Sequence, residues 1–245
     1  MRALEKPLRI EAGAKHLNRT LLAKLVTLAF ERTNADYDLY VLKENSEVKF
    51  LLTVYVDDLL LMGPRDRCTK IAAALQETFE LTTMGTVNYR LSIEIPIDRP
   101  SRPIVYCQKQ YVFEVLKRFH MADCNECATP EATAPSKAAV PATKVYRPYR
   151  ELVQLQYLVN SLRPDIAHAT RHLGKFLATY DHTHYSRAKR VLRYLNATCD
   201  YGLVMDISEG TIVNVRCYSD ANYANDSMDR RSISGYVNTL DGNVI

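Results

Sequence analysis

Tryptophan is absent from this chain, and glycine is sparse, with 8 in 245 residues. No stretch approaches the roughly 20 consecutive apolar residues of a membrane span. The most apolar segment, Phe50 to Met62, is interrupted by Asp57 and Asp58. The opening residues, Met1-Arg2-Ala3-Leu4-Glu5-Lys6-Pro7, lack the apolar core of a secretory signal. The six cysteines (Cys68, Cys107, Cys124, Cys127, Cys199 and Cys217) are too dispersed for a disulfide scaffold and fit reduced thiols. These absences argue against a membrane-spanning helix and a secreted, disulfide-stapled domain. They lead to the expectation of a soluble, intracellular protein, cytoplasmic or nuclear, with no membrane partner. The net charge of +4 is too small to demand an acidic partner, so charge placement matters more than its sum.

What is present is ordinary globular composition, 47% hydrophobic and 24% charged, in a chain long enough to bury a core. Leu17, Leu21, Leu25 and Leu28 form the stripe of an amphipathic helix running to about Phe30. Tyr37 to Lys43 and Val48 to Val56 read as strands joined by a turn at Glu44-Asn45-Ser46, and Leu59 to Met62 as a third strand closed by Gly63-Pro64. Thr69 to Phe79 returns to helical spacing. Tyr89 to Ile97 and Ile104 to Cys107 look extended, with a polar turn over Asp98 to Pro103. Lys109 to Phe119 is amphipathic, with Val112, Val115, Leu116 and Phe119 inward.

Between Thr129 and Pro148, prolines at 130, 135, 141 and 148 stand among Ala, Thr, Ser and Lys. Such a segment buries too little apolar surface to offset its ordering entropy and reads as a linker. Three helices are expected beyond it: Tyr149 to Leu162, Pro164 to Leu177, and Thr183 to Leu195. Pro164 suits a first helical turn. Strand character returns over Leu203 to Met205 and Ile212 to Tyr218. The class is α+β, with no internal repeat.

Asp57-Asp58 is the feature that carries chemistry. Adjacent carboxylates between two apolar runs are costly unless they sit at a hairpin tip and meet positive charge. Asp-Asp is also a poor two-residue hairpin loop, where Asn-Gly or Asp-Gly is preferred. Such a conflict between local preference and context marks functional sites. Paired carboxylates suit Mg²⁺, a hard ion that takes oxygen ligands.

Tyr55-Val56-Asp57-Asp58 followed by Leu59-Leu60-Leu61-Met62-Gly63 resembles the active-site hairpin of reverse transcriptases of copia-type long-terminal-repeat retrotransposons. The resemblance extends along nearly the whole chain. It includes Phe30 to Asp36 with Leu39-Tyr40-Val41, Phe79-Glu80-Leu81 to Met84-Gly85, and Ile93-Glu94-Ile95. It continues through Gln108-Lys109-Gln110-Tyr111, Tyr149 to Val153, Arg163-Pro164-Asp165-Ile166-Ala167, and Ala188 to Leu195 with Tyr201-Gly202-Leu203. Tyr218-Ser219-Asp220-Ala221, Asp229-Arg230-Arg231-Ser232 and Ser234-Gly235-Tyr236-Val237 are similar to the opening strands of that family's ribonuclease H domain.

The resemblance implies a partial reverse-transcriptase palm with thumb-like helices over residues 1–128, a linker over 129–148, a helical connection over 149–200, and the first strands of an incomplete ribonuclease H-like sheet over 201–245. It implies Asp57 and Asp58 as catalytic Mg²⁺ ligands (Mn²⁺ being the substitute ion), Tyr55 and Val56 as primer- and substrate-positioning residues, and Asp220 as a catalytic metal ligand of ribonuclease H. The implied partners are an RNA template, a DNA primer, deoxynucleoside triphosphates and the remainder of a Pol polyprotein.

The match has gaps. The family's third polymerase carboxylate belongs to a strand upstream of a motif that falls here around Leu8 to Asn18. Leu8-Arg9-Ile10-Glu11-Ala12-Gly13 lacks the motif's glutamine and tryptophan, and Glu5 and Glu11 lack the strand context expected of that acid. After Asp220, the family's second Asp and Trp are replaced by Asn222 and Tyr223. The expectation is a fragment truncated at both ends and inactive by itself. The alternative is a decayed, non-catalytic remnant that at most binds nucleic acid.

Cys124-x-x-Cys127 near His120, with His168 and His172 one helical turn apart, has the wrong spacing for a zinc finger and reads better as unrelated pairs. Arg163 to Arg193 holds seven Lys/Arg against two Asp. There Arg187, Lys189, Arg190 and Arg193 are expected on an outer helix face suited to nucleic-acid phosphates or simply to water.

Overall fold

A computed structural model describes residues 3–10, 14–95, 104–132, 149, 151, 155–206, 213–224 and 230–245, with side chains from residue 19 onward. Its mixed helices and sheets bear out the α+β class. The chain groups into two compact units, Met1–Val87 and Asn88–Ile245.

In the first unit, six strands form one sheet. They are β1 (Ala3–Ile10), β2 (Glu31–Arg32), β3 (Leu39–Glu44), β4 (Glu47–Tyr55), β5 (Asp58–Pro64) and β6 (Leu81–Thr83), ordered β2-β3-β4-β5-β1-β6. The β3–β4 turn is Asn45-Ser46, both at positive φ (52° and 66°), as a two-residue hairpin loop requires. Helices α1 (Ala14–Thr27) and α2 (Arg65–Gln76) supply Leu21, Leu25, Cys68, Ala72 and Leu75 to a core shared with Tyr40, Leu42, Phe50, Leu52, Leu59 and Leu61. Strand alternation puts Leu59 and Leu61 on the buried face, at 0% exposure, and Leu60 and Met62 on the other.

Gly63 follows that buried row. A Cβ there would stand 2.1 Å from the Phe50 ring, so glycine is needed for close packing. Helix α1 stops because Ala29 turns left-handed (φ 64°). Phe30 N–H donates to the Leu25 carbonyl at 2.9 Å and Ala29 N–H to that of Val26 at 3.0 Å, the Schellman pattern, with Phe30 and Leu25 both in the core. Helix α2 starts at Arg65, four residues before the expected Thr69. Arg67 there bonds Glu44 through both guanidinium ends and lies 4.8 Å from the Phe50 ring centroid.

The second unit begins with β7 (Tyr89–Arg90), β8 (Ile93–Glu94) and β9 (Ile104–Cys107), followed by α3 (Lys109–Arg118). The single strand expected from Tyr89 is instead two short strands. Leu91 and Ser92, both at positive φ (50° and 60°), turn the chain back. The Glu94 carboxylate then accepts from Gln110 N–H at 2.7 Å, satisfying a free donor at the start of α3.

Tyr149 and Glu151 are helical, followed by α4 (Gln156–Ser161), a 3₁₀ turn Pro164–Ile166, α5 (Ala167–Gly174) and α6 (His182–Ala197). The helix expected from Pro164 to Leu177 is thus shorter and opens as 3₁₀. These helices and α3 enclose Val112, Leu116, Tyr149, Leu158, Ile166, Leu173, Val191 and Leu192. Strand β10 (Gly202–Met205) pairs with β9, and β11 (Val215–Asn222), β12 (Ile233–Leu240) and β13 (Asn243–Val244) make a separate sheet. Asn243 joins the two sheets by bonding both backbone groups of Asp206, at 2.7 and 2.9 Å. The linker beyond Ala132, up to residue 148, lies outside the described residues, as do Ile97, the Asp98–Pro103 turn, Glu11, Ile212 and Asp229.

Candidate active site

The β4–β5 hairpin is built by alternation. Phe50 and Leu52 on β4 and Leu59 and Leu61 on β5 face the helices, and the ladder runs from Leu51↔Met62 to Tyr55↔Asp58. The loop is therefore Val56-Asp57, while Asp58 is the first residue of β5. The Asp-Asp pair spans the loop and the strand instead of filling the loop. Asp57 and Asp58 are both half-buried, with Tyr55 (54% exposed) and Val56 (73% exposed) beside them.

Val56 has φ 53°, a value natural for glycine and strained for a β-branched residue. Strain of this kind costs on the order of 1–3 kcal/mol and clusters at functional sites. Tyr55 and Asp58 form a cross-strand pair on one face of the sheet. The neighbouring Leu59, buried against the helices, puts that pair on the opposite, open face.

Strand β1, which sequence reading missed, lies next to β5. Its register sets Arg9 opposite Asp58 and Glu5 opposite Met62. Glu5 thus stands in a strand, contrary to expectation. It is four positions from the level of Asp58, roughly 13 Å along the strand. Pro7 and the irregular Ala-Leu-Glu-Lys-Pro-Leu-Arg-Ile pattern hid the strand, because its stability comes from pairing with β5 and not from alternation. Among the described residues, no group of three His, Cys, Asp or Glu side chains is placed to hold a metal ion.

Asp220 lies in β11, in register with Gly235, and is exposed along with the rest of that strand. Cys124 and Cys127 pack against the helical core, and burial pushes the Cys124 thiol up.

The basic residues of α6 divide. Arg187 is exposed, and the Lys189 ammonium lies 5.9 Å from the Tyr185 ring centroid. Arg190 donates to the Thr129 carbonyl (3.1 Å) and hydroxyl (2.9 Å), and Arg193 to the carbonyls of Asn125 (2.5 Å) and Glu126 (3.3 Å). Asn196 adds a bond to the Cys124 carbonyl at 3.2 Å. These side chains strap the segment after α3 across α6. No sequence signal announces this, since backbone carbonyls carry no residue identity.

Arg163, 1% exposed, has a clearer origin in the Arg163-Pro164-Asp165 motif. It pairs with Asp165 at 2.8 Å and donates to the Thr198 carbonyl (2.9 Å) and hydroxyl (2.6 Å), while the Tyr194 hydroxyl donates to Asp165. Burial pushes the Asp165 carboxyl up, but the Arg163 bonds and charge with the Tyr194 bond outweigh it and hold the group below its ordinary value. This network ties the 3₁₀ turn to the end of α6 and is structural.

A family model described as reverse transcriptase (RNA-dependent DNA polymerase) matches residues 7–133. The Retrovirus-related Pol polyprotein from transposon RE2 of Arabidopsis thaliana is 33% identical over 217 residues, covering 87% of this chain and 14% of that protein. The corresponding polyprotein from transposon TNT 1-94 of Nicotiana tabacum is 30% identical over 224 residues, covering 87% of this chain and 17% of its own length. An uncharacterized mitochondrial protein of Arabidopsis thaliana is 32% identical over 200 residues, covering 79% of this chain and 80% of that protein. The chain therefore spans about a seventh of the length of the Pol polyproteins it resembles. No solved structure matches it. Among the described residues, no helix is long and apolar enough to cross a membrane.

Proposed function

Because the chain belongs to the reverse transcriptase (RNA-dependent DNA polymerase) family, we propose that it forms the aspartate hairpin segment of a retrotransposon polymerase. The observation that carries this reading is the β4–β5 tip, where two half-buried carboxylates directly follow a residue held in a strained conformation. Asp57 and Asp58 are hard oxygen donors of the kind Mg²⁺ takes, and Mn²⁺ is the substitute ion. Paired ions about 4 Å apart supply activation of a primer 3′-hydroxyl and stabilisation of the departing pyrophosphate. The chain's own contribution is positional: the buried Leu59 and Leu61 fix the strand that presents Asp58, and Tyr55 and Val56 border the primer end. The substrates are an RNA template, a DNA primer and deoxynucleoside triphosphates, within a larger Pol polyprotein.

In this reading, residues 1–128 comprise palm and thumb-like parts, 129–148 a linker, 149–200 the connection, and 201–245 the first ribonuclease H-like strands with Asp220 as a metal ligand. Two carboxylates leave most of an octahedral shell to water, so the isolated chain holds the ion weakly and extends no primer. Primer extension on an RNA template with Mg²⁺ tests both halves of the proposal. Background signal is expected from the isolated chain, and abolition by Asp57→Asn in the complete polyprotein. Extension by the isolated chain that Asp57→Asn removes overturns the inactivity, while undiminished extension by the polyprotein variant sinks the hairpin assignment.

The basic residues of α6 favour a second reading, a non-catalytic remnant that binds nucleic acid through that helix. Arg187 and Lys189 carry that reading better than Arg190 and Arg193, whose guanidinium groups hold the strap. Loss of oligonucleotide binding in a double Arg187→Ala, Lys189→Ala variant, with steep weakening by salt in the parent, is its expected signature.

A further inference from the structure

The end strand of a sheet offers unpaired N–H and C=O groups to any second strand, and proteins blunt such edges with short strands, lysine, proline or bulges. Strand β11 ends the order β11-β12-β13 and has none of these. Its 8 residues, Val-Arg-Cys-Tyr-Ser-Asp-Ala-Asn, pair with β12 without a register shift, from Val215↔Leu240 to Asn222↔Ile233. Among the described residues β12 is its one neighbour. The other end of the sheet is engaged, because Asn243 on β13 bonds both backbone groups of Asp206. All of β11 is exposed, and Val237, which faces Tyr218 from β12, is 46% exposed.

The charges on this edge are ordered for a copy of itself. Arg216, Tyr218 and Asp220 share one face of the strand, with the opposite charges equally spaced on either side of the tyrosine. When two such strands run antiparallel about a twofold axis at Tyr218, Arg216 of each copy falls opposite Asp220 of the other, and the two tyrosines meet. Charges of one sign would keep two edges apart, whereas these attract at two places. Across the joined sheet the two tyrosines lie between two Val237 side chains, which gathers exposed apolar surface into one strip. On the other face Cys217 falls opposite Ser219 and Val215 opposite Ala221, so no two large side chains collide. A slip of one residue loses both charge pairs, so one register is selected.

We infer that β11 is a homodimerisation edge, through which two copies of this chain join their sheets into one about a twofold axis at Tyr218. The inference is independent of the polymerase reading and requires neither metal ion nor nucleic acid. One strand edge per copy is a small interface, so a Kd of about 10–100 µM is expected, and β11 stays open in dilute solution. Sedimentation velocity on the full chain, from about 1 to 300 µM, is expected to show a monomer giving way to a dimer. Asp220→Arg sets arginine opposite arginine at both places and is expected to raise the Kd by about tenfold or more. Adding Arg216→Asp to that variant exchanges the two charges and is expected to return the Kd to within about threefold of the parent. The register has its own test. Directly opposed residues have Cα atoms about 4.5–5.5 Å apart, within disulfide reach, so Tyr218→Cys in a Cys217→Ser background is expected to give a covalent dimer with oxidised glutathione. Ser219→Cys in the same background is expected to link more slowly, being offset from its own copy. A monomer at every concentration, a dimer indifferent to Asp220→Arg, no recovery in the exchanged variant, equal linking by the two cysteine variants, or growth beyond a dimer overturns the assignment.

Discussion

Every second residue along β5 is buried beneath two helices, whereas all eight residues of β11 are exposed. Both strands present an aspartate that sequence resemblance marks as a metal ligand, Asp58 in one and Asp220 in the other. The difference lies in what holds them. Asp58 adjoins Leu59, which is 0% exposed and locked into a core of two helices and several strands. Asp220 faces Gly235 across a sheet whose large apolar residues, Tyr218 and Tyr236 among them, are open to water at 56% and 77% exposure. A carboxylate is positioned only as well as its supporting layer, so only the first sheet supplies a rigid base for chemistry.

The largest test of this contrast is core truncation. Leu59→Ala is expected to cost about 2–5 kcal/mol in chemical denaturation, and Tyr218→Ala less than about 0.5 kcal/mol. Comparable losses would mean that β11 is covered in solution.

The glycines give a smaller and sharper pair. Gly63→Ala must displace the buried Phe50 ring and is expected to cost about 1–3 kcal/mol. Gly235, with nothing within 4 Å of an added Cβ, is expected to accept alanine without loss. A tolerated Gly63→Ala would show that the first sheet is looser than its packing implies.

The helices of the second unit supply a control, since they have a core of their own. The buried Tyr149 hydroxyl donates to the Leu173 carbonyl at 2.8 Å, and the ring stacks on Tyr180 with centroids 4.5 Å apart. Tyr149→Phe is expected to cost about 1 kcal/mol. Burial pushes the hydroxyl up to about 12, so folding favours the neutral form. That stabilisation is complete below the ordinary tyrosine value near 10 and is lost as pH rises from about 10 through about 12. A Tyr149→Phe variant whose alkaline unfolding matches that of the parent would assign the loss to another group.

The smallest effect concerns the hairpin tip. Val56→Gly relieves the strain at φ 53° but adds glycine's unfolded-state entropy, leaving an expected gain of about 0.5 kcal/mol in thermal unfolding. If Val56 borders the primer, the same change lowers extension by the complete polyprotein despite the gain in stability. A loss of stability would show that the strain is not real.

Much of this could be read from residue patterns. The β4–β5 hairpin was legible because alternation of Phe50, Leu52, Leu59 and Leu61 encodes one buried face, and Lys109 to Arg118 because Val112, Val115 and Leu116 follow the helical period. The break at Leu91-Ser92 was not legible, since neither residue favours positive φ, which is imposed there by pairing of Arg90 with Ile93. The strand β1 was hidden for the same reason. The candidate site was legible in its residue identities and opaque in its register, which sets Arg9, and not Glu5, level with Asp58.

By itself, then, the sequence determined the family, the α+β class and the paired aspartates between two strands, because hydrophobic period and motif order are local properties. Tertiary structure decided that the loop is Val56-Asp57 with Asp58 in the strand, that Arg190 and Arg193 hold backbone carbonyls, and that Arg163 and Asp165 tie the 3₁₀ turn to the end of α6. Those outcomes depend on which distant backbone groups meet. Register and carbonyl partners are set by packing of the whole sheet or helix layer, and no single segment contains that information.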